Sequence, residues 1–191
     1  MVGEIRDLET AEIAVRSALV GRLLISTLHT NDATGAVPRL LDMGIEPFLV
    51  ASTLSLVAAQ RLVRRICSTC RESTAPDPTL LKVLYARADF EQMVQVLRAE
   101  GVIGGSDDPF ASARVFRGKG CVQCAGTGFR SRLGIFELLE VTDAIRAMIM
   151  DRKDATAIRA EATRNGTMVQ DGIAKALLGE TTLEEVFRVA L

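Results

Sequence analysis

The 191-residue chain has no tryptophan, one tyrosine and one histidine, and its 23 basic and 24 acidic residues leave a formal charge of −1. So few aromatics give bases little to stack on, which argues against a nucleic-acid platform. The charge balance excludes a strongly basic binder read over the whole chain, local patches aside. Long apolar runs are also missing. The longest stretch without a charge, Pro47 to Gln60, has 14 residues, short of the roughly 20 that a membrane helix needs. The opening MVGEIRD carries carboxylates at positions 4 and 7 and no apolar run behind a basic start, so it does not read as a secretory signal. Four cysteines are too sparse for a disulfide scaffold. No G-x-x-x-x-G-K-[ST] occurs anywhere, so these residues contain no phosphate loop. What remains is 48% apolar and 25% charged, a globular composition.

Met1-Val2-Gly3 reads as the end of a buried strand whose first half is missing, which makes the chain look like a fragment. Leu8, Ala11, Val15, Ala18 and Leu19 have helical spacing. Asp7 suits the N-cap and Gly21 the stop. Leu23 to Leu28 is an apolar run of strand length that ends in the polar cluster His29-Thr30-Asn31-Asp32. Helix followed by buried run is the repeat of a parallel α/β sheet. In such sheets ligands gather at the carboxyl ends of strands, where Glu4 and His29 both fall.

The pattern predicts a helix over 33–43, with Pro38 inside it and Gly44 closing it. A longer helix follows from Pro47 to about Arg65, with Leu49, Thr53, Leu56, Ala59 and Val63 on one face. Residues 72–111 carry helical patterns at 80–88 and 90–99, then a loop at 101–109, and read as a separate acidic outgrowth. Beyond Ala125 a strand is expected at 133–139 and helices at 142–150, 155–165, 169–178 and 183–189. Thr182 and Glu185 have capping-box spacing.

Cys67-Ser-Thr-Cys70 and Cys121-Val-Gln-Cys124 are two matched knuckles. Each presents two thiolates, and together they complete a tetrahedral zinc site. The 50 residues between them exceed the usual ribbon spacing. Reduced buried thiols or a single redox pair are the alternatives. Arg61, Arg64, Arg65 and Arg71 flank the first knuckle, and Arg114, Arg117, Lys119, Arg130 and Arg132 flank the second. Cations there offset the −2 charge of four thiolates on a divalent ion, and the same block suits phosphates or anionic lipid headgroups. Gly126 and Gly128 are expected to permit the tight backbone of the second knuckle.

The blocks VGEIRDLETAEIAVRSAL, STLHTNDATGAVPRLLDMGIEPFL, AAQRLVRRICSTC, GCVQCAGTGFRSRLGIFELLEV and NGTMVQDGIAKALLGETTLEEVFRV, in this order, resemble the secretion ATPases of type II secretion and type IV pilus assembly. The resemblance covers nearly everything except about 72–111. EPFL and the tetracysteine insert look more like the type II branch. It implies an α/β fold: the C-terminal part of a RecA-like ATPase core (1–66), an inserted zinc module with a helical insertion (67–124) and a mostly helical C-terminal region (125–191).

In that family GEIRD closes the Walker B strand. The resemblance therefore implies that Glu4 orients or activates the attacking water, with Gly3, Arg6 and Asp7 around it. STLHTND resembles the His box, which makes His29 a sensor of the terminal phosphate, with Thr27 and Asn31 shaping the strand end. QRLVRR sets Arg61 on a helix near the nucleotide side. The implied cofactors are zinc and, in the whole protein, ATP and Mg2+. The implied partners are five further copies in a homo-hexamer, subunits of the inner-membrane secretion platform and acidic phospholipids, but no nucleic acid. The location would be cytoplasmic, peripheral at the inner membrane. Without the resemblance, Glu4 is an ordinary strand-end carboxylate and His29 a loop imidazole. Arg22 departs from the pattern, since family members usually carry a second histidine there.

Overall fold

The computed structural model describes residues 1–105, 108–110, 113–162 and 166–190. In chain order its helices are α1 (Leu8–Leu19), α2 (Ala36–Asp42), α3 (Pro47–Thr53), α4 (Pro78–Tyr85), α5 (Phe90–Ala99), α6 (Asp143–Met150), α7 (Ala155–Ala162), α8 (Met168–Leu177) and α9 (Leu183–Ala190). The strands are β1 (Leu56–Ile66), β2 (Arg71–Thr74), β3 (Val115–Gly118) and β4 (Phe129–Glu140). The chain forms two compact units, Met1–Ala59 with Glu137–Asn165, and Gln60–Phe136 with Gly166–Leu191. They interleave in sequence. β1 and β4 pair as one two-stranded sheet.

In the first unit, Asp7 caps α1 by accepting a hydrogen bond from Thr10 N–H at 2.8 Å, and Gly21, at φ 81°, follows its end. Pro38 sits in the first turn of α2, where a missing N–H costs no helical bond. Pro47 opens α3. Ala11, Val37, Val50, Leu139, Ile145, Ile149 and Ile158 form the core.

Two expectations fail here. The helix from Pro47 ends at Thr53, because Leu54 turns extended at ψ 124°, and residues 56–66 are strand β1. Residues 23–28 form no regular strand. They make one isolated parallel bridge, Ile5 to Leu28, with hydrogen bonds from Val2 N–H to Ile25 O and from Ile5 N–H to Thr27 O. No other strand among the described residues pairs with this segment, so Leu23 and Ile25 stay 90% and 61% exposed rather than buried.

In the second unit β2 and β3 run antiparallel, from Arg71 opposite Gly118 to Thr74 opposite Val115. The residues between them do not stand apart as an outgrowth. Leu84, Met93, Leu97 and Phe110 share one core with Val169, Ile173, Leu183 and Val186 of α8 and α9. Their amphipathic faces needed apolar surface, and the C-terminal helices supply it. The loop expected at 101–109 and the helix expected at 155–165 lie partly outside the described residues. The Thr182–Glu185 box is half made: Thr182 Oγ1 accepts from Glu185 N–H, while the Glu185 carboxylate is engaged by arginines. A complete box is made by Thr167 with Gln170, which the sequence reading missed.

Candidate metal centre and strand-end site

The knuckles form where β1 runs out. Cys67 follows β1, and its N–H donates to Gly128 O at 2.9 Å. Cys121 to Cys124 make a single 3-10 turn, and Ala125 beyond it is left-handed at φ 48°. The turn needs glycine nearby. A Cβ on Gly128, itself at φ 77°, would stand 2.5 Å from Gly118 O, and a Cβ on Gly118 would stand 2.1 Å from Gly128 O. Only two glycine backbones can pass this closely.

All four Sγ atoms lie within 4.8 Å of one another. The sulfurs of Cys67 and Cys121 are 3.9 Å apart, those of Cys70 and Cys124 3.8 Å, and those of Cys121 and Cys124 3.7 Å. Sulfurs about 2.3 Å from one central ion in a tetrahedron are about 3.8 Å apart. A disulfide would need about 2.0 Å, and the four cysteines are free. The backbone N–H groups of Cys121 and Gly128 donate to Cys124 Sγ at 3.1 and 3.3 Å. Burial raises the Cys124 thiol, but those two donors and its sulfur neighbours outweigh it and bring it down to about 6. Burial pushes Cys70 up to about 12. Sulfurs this close, partly pre-ionised and fed by N–H donors, have the chemistry of a closed structural metal site.

The flanking cations are more committed than their spacing suggested. Arg117 and Lys119 both pair with Glu72, at 2.8 and 2.7 Å. Arg71 donates to Gly179 O at 3.1 Å, Arg114 to Ser73 Oγ at 2.7 Å and Arg130 to Gln123 Oε1 at 3.1 Å. Arg64 stacks 4.2 Å over the Phe129 ring and pairs with Glu185 at 2.6 Å.

The first unit holds the second constellation. The bridge between residues 2–5 and 25–28 sets Gly3 beside Thr27, whose Oγ1 donates to Gly3 O at 2.8 Å. One residue beyond Gly3 and two beyond Thr27, Glu4 Oε2 and His29 Nε2 are 3.0 Å apart. Arg6 Nε is 2.7 Å from the same oxygen. The His29 hydrogen bond first, and Arg6 second, hold the Glu4 carboxyl below its ordinary range, so it is ionised at neutral pH and accepts hydrogen bonds only. Its side chain is 39% exposed and that of His29 75%, so both are open to an incoming ligand. Asp7 is spent on capping α1. Arg61 lies on β1, not on a helix, and belongs to the second unit rather than the unit of Glu4 and His29.

The family described as "Type II/IV secretion system protein" matches residues 1–188. The chain belongs to that family. Over 188 residues it is 47% identical to the type IV pilus assembly ATPase PilB of Thermus thermophilus, covering 97% of this chain and 19% of the relative. Over 190 residues it is 43% identical to type II secretion system protein E of Pseudomonas aeruginosa, covering 99% and 34%. The chain thus spans about a fifth to a third of the length of these relatives, and both branches stand at similar identity. Among solved structures, the pilus retraction motor PilT with bound ADP superposes with a TM-score of 0.59 at 22% identity, over 98% of this chain and 39% of PilT. The Legionella pneumophila ATPase DotB gives 0.57 at 18%, over 100% and 37%. At those identities the likeness is one of fold, and it agrees with the α/β, RecA-like class expected of a type II/IV secretion system protein.

The sequence reading missed a polar network in this family member. Asp32 Oδ1 accepts from Gly35 N–H at 2.7 Å and from Thr34 Oγ1 at 3.0 Å, while Arg159 of α7 meets Asp32 Oδ2 at 2.5 Å. Asp32 stands where it closes the turn into α2, a position the Asp-x-x-Gly spacing makes legible. Its partner 127 residues away gives no signal in the sequence. No helix among the described residues is long and apolar enough to cross a membrane.

Proposed function

We propose that the chain is the part of a secretion ATPase that positions the attacking water and senses the terminal phosphate, held together by a structural zinc site. The contact of Glu4 with His29 at adjacent ends of two parallel segments carries this reading. An ionised carboxylate with one oxygen occupied by His29 and Arg6 has its other oxygen free to accept from a water and aim it. His29, open to solvent and joined to that carboxylate, changes its hydrogen bonding when a phosphate oxygen arrives. Arg6 supplies positive charge, and Gly3 and Thr27 fix the spacing of the two segments. ATP with Mg2+ would supply the reacting phosphate. The cradle for its β- and γ-phosphates comes from polypeptide outside these residues, because no phosphate loop is among them. Cys67, Cys70, Cys121 and Cys124 suit zinc best, on the sulfur spacing and the all-thiolate donor set.

In this reading the protein works as a homo-hexamer against inner-membrane platform subunits on the cytoplasmic side, in type II secretion. That branch is taken from the resemblance of the EPFL stretch and the tetracysteine insert to it, and pilus assembly, at similar identity, is the alternative. An alternative use as a zinc-stabilised platform for acidic phospholipid draws on Val122, 98% exposed at the knuckle, and on the exposed Arg130 and Arg132 nearby in sequence. The test is nucleotide turnover by the purified 191-residue chain. The expected result is none, with one zinc per chain. Steady hydrolysis that disappears in Glu4→Gln would overturn the division of the site between this chain and other polypeptide. Liposome pelleting without any role in hydrolysis would favour the platform.

A further inference from the structure

The His29 side chain is mostly solvent-exposed, so burial does not fix its direction. Its Nε2 meets Glu4 Oε2 at 3.0 Å, and the backbone on either side sets where the ring stands for that contact. On the N-terminal side, Ile5 N–H donates to Thr27 O at 2.9 Å and Thr27 Oγ1 donates to Gly3 O at 2.8 Å. On the C-terminal side only Thr30 and Asn31 separate His29 from a dense node. Thr30 Oγ1 donates to Asp32 O at 3.0 Å, Ala33 N–H donates to Glu137 Oε1 at 3.0 Å, and Ala33 and Thr34 are buried. Arg159 Nη2 reaches both Asp32 Oδ2 and Thr34 Oγ1, at 2.5 and 3.3 Å. Asp32 is the hinge point of this node, because its two oxygens divide the work: Oδ1 closes the turn and Oδ2 takes the cation.

We propose that Arg159, on helix α7, is a positioning residue for His29, acting through Asp32. The proposal rests on the reading of Glu4 and His29 given above. An ion pair this exposed adds little to global stability, so what it contributes is geometry. It ties the loop behind His29 to a helix from the far end of the sequence. Displacement of α7 therefore reaches the imidazole through two side chains and the two residues Thr30 and Asn31. Lysine at 159 keeps a cation for Asp32 but lacks the planar fork that also reaches Thr34 Oγ1.

His29 is the only histidine in the chain, so histidine labelled with carbon-13 gives one imidazole signal from the full 191 residues. Arg159→Gln should move that signal away from its wild-type position by more than a line width, and Arg159→Lys should return it part of the way. Asp32→Asn should move it in the same direction. Arg152→Gln, which removes a cation paired with Glu46 at 3.7 Å in the same unit, should leave it in place. An Arg159→Gln chain with wild-type circular dichroism and an unmoved imidazole signal refutes the proposal. If that variant does not fold, Asp32→Asn decides in the same way, and loss of fold in both variants makes the pair a structural brace and overturns the proposal. In the assembled ATPase, Arg159→Gln should lower kcat with KM for ATP unchanged. The imidazole signal requires no hydrolysis, so failure of the proposed enzymatic role for Glu4 and His29 leaves this result standing, and the converse also holds.

Discussion

Glu185 is a carboxylate with a side chain 2% exposed, and its removal is the most quantifiable perturbation the fold offers. Oε1 accepts from Arg64 Nη2 at 2.6 Å and Arg188 Nε at 3.0 Å, and Oε2 accepts from Arg64 N–H at 3.0 Å and Arg188 Nη2 at 2.7 Å. The Arg188 hydrogen bonds first, and then those of Arg64, overcome its burial and bring the carboxyl from 4.5 to about 2. The depressed acid stabilises the folded state fully above about pH 4.5 and loses that contribution as pH falls through about 2. A shift of this size corresponds to about 3 kcal/mol. Because the two arginines are each more than half exposed, screening reduces it to about 2 kcal/mol. Glu185→Gln keeps the shape and loses the charge, so urea unfolding at neutral pH should show it less stable by about that amount. The gap should narrow steadily between about pH 4.5 and 2. A gap that is absent at neutral pH, or that stays constant down to pH 2, would refute the reasoning. The anchoring matters to the four-cysteine cluster: Thr181 Oγ1 donates to Arg64 O and Ile66 N–H donates to Glu180 O, so residues 180–185 pin the end of β1 one residue before Cys67.

Cys67→Ser should release the metal and loosen the knuckles while leaving the Glu4–His29 contact intact. Metal analysis checks this, and unchanged zinc content counts against a four-sulfur site. Gly128→Ala places a Cβ on a left-handed residue against Gly118 O. It should cost about 2 kcal/mol or more and show as weaker zinc retention against a chelator and faster proteolysis at the knuckle. Wild-type retention would mean that the close backbone crossing is dispensable.

The parts legible in the sequence were those whose chemistry restricts residue type. Paired C-x-x-C knuckles announce a four-sulfur cluster whatever lies between them, and the structure closes it. Asp7, Gly21, Gly44 and Pro47 announced helix ends because capping and φ constraints are local. Strand β1 was misread because Leu56, Ala59 and Val63 also fit a helical face. Its burial is no clean alternation either: Val63 and Ile66, three apart, are its buried residues. The true break, Leu54, is no turn residue and leaves no mark. Glu4 and His29 were paired by the rule that strand ends face one site, strengthened by family resemblance. Partners separated by more than 120 residues, Arg64 with Glu185 and Asp32 with Arg159, are set by tertiary packing, and no local pattern encodes them.

In the proposed function Glu4 serves the hydrolytic step rather than nucleotide binding or folding. Its most direct test is Glu4→Gln in the assembled protein, with ATP affinity and single-turnover hydrolysis measured on the same preparation. The glutamine still accepts from Arg6 but no longer draws a proton from water, so hydrolysis should fall by about a hundredfold or more with ATP affinity unchanged. Hydrolysis at the wild-type rate, or a loss that follows reduced ATP affinity alone, would contradict the account.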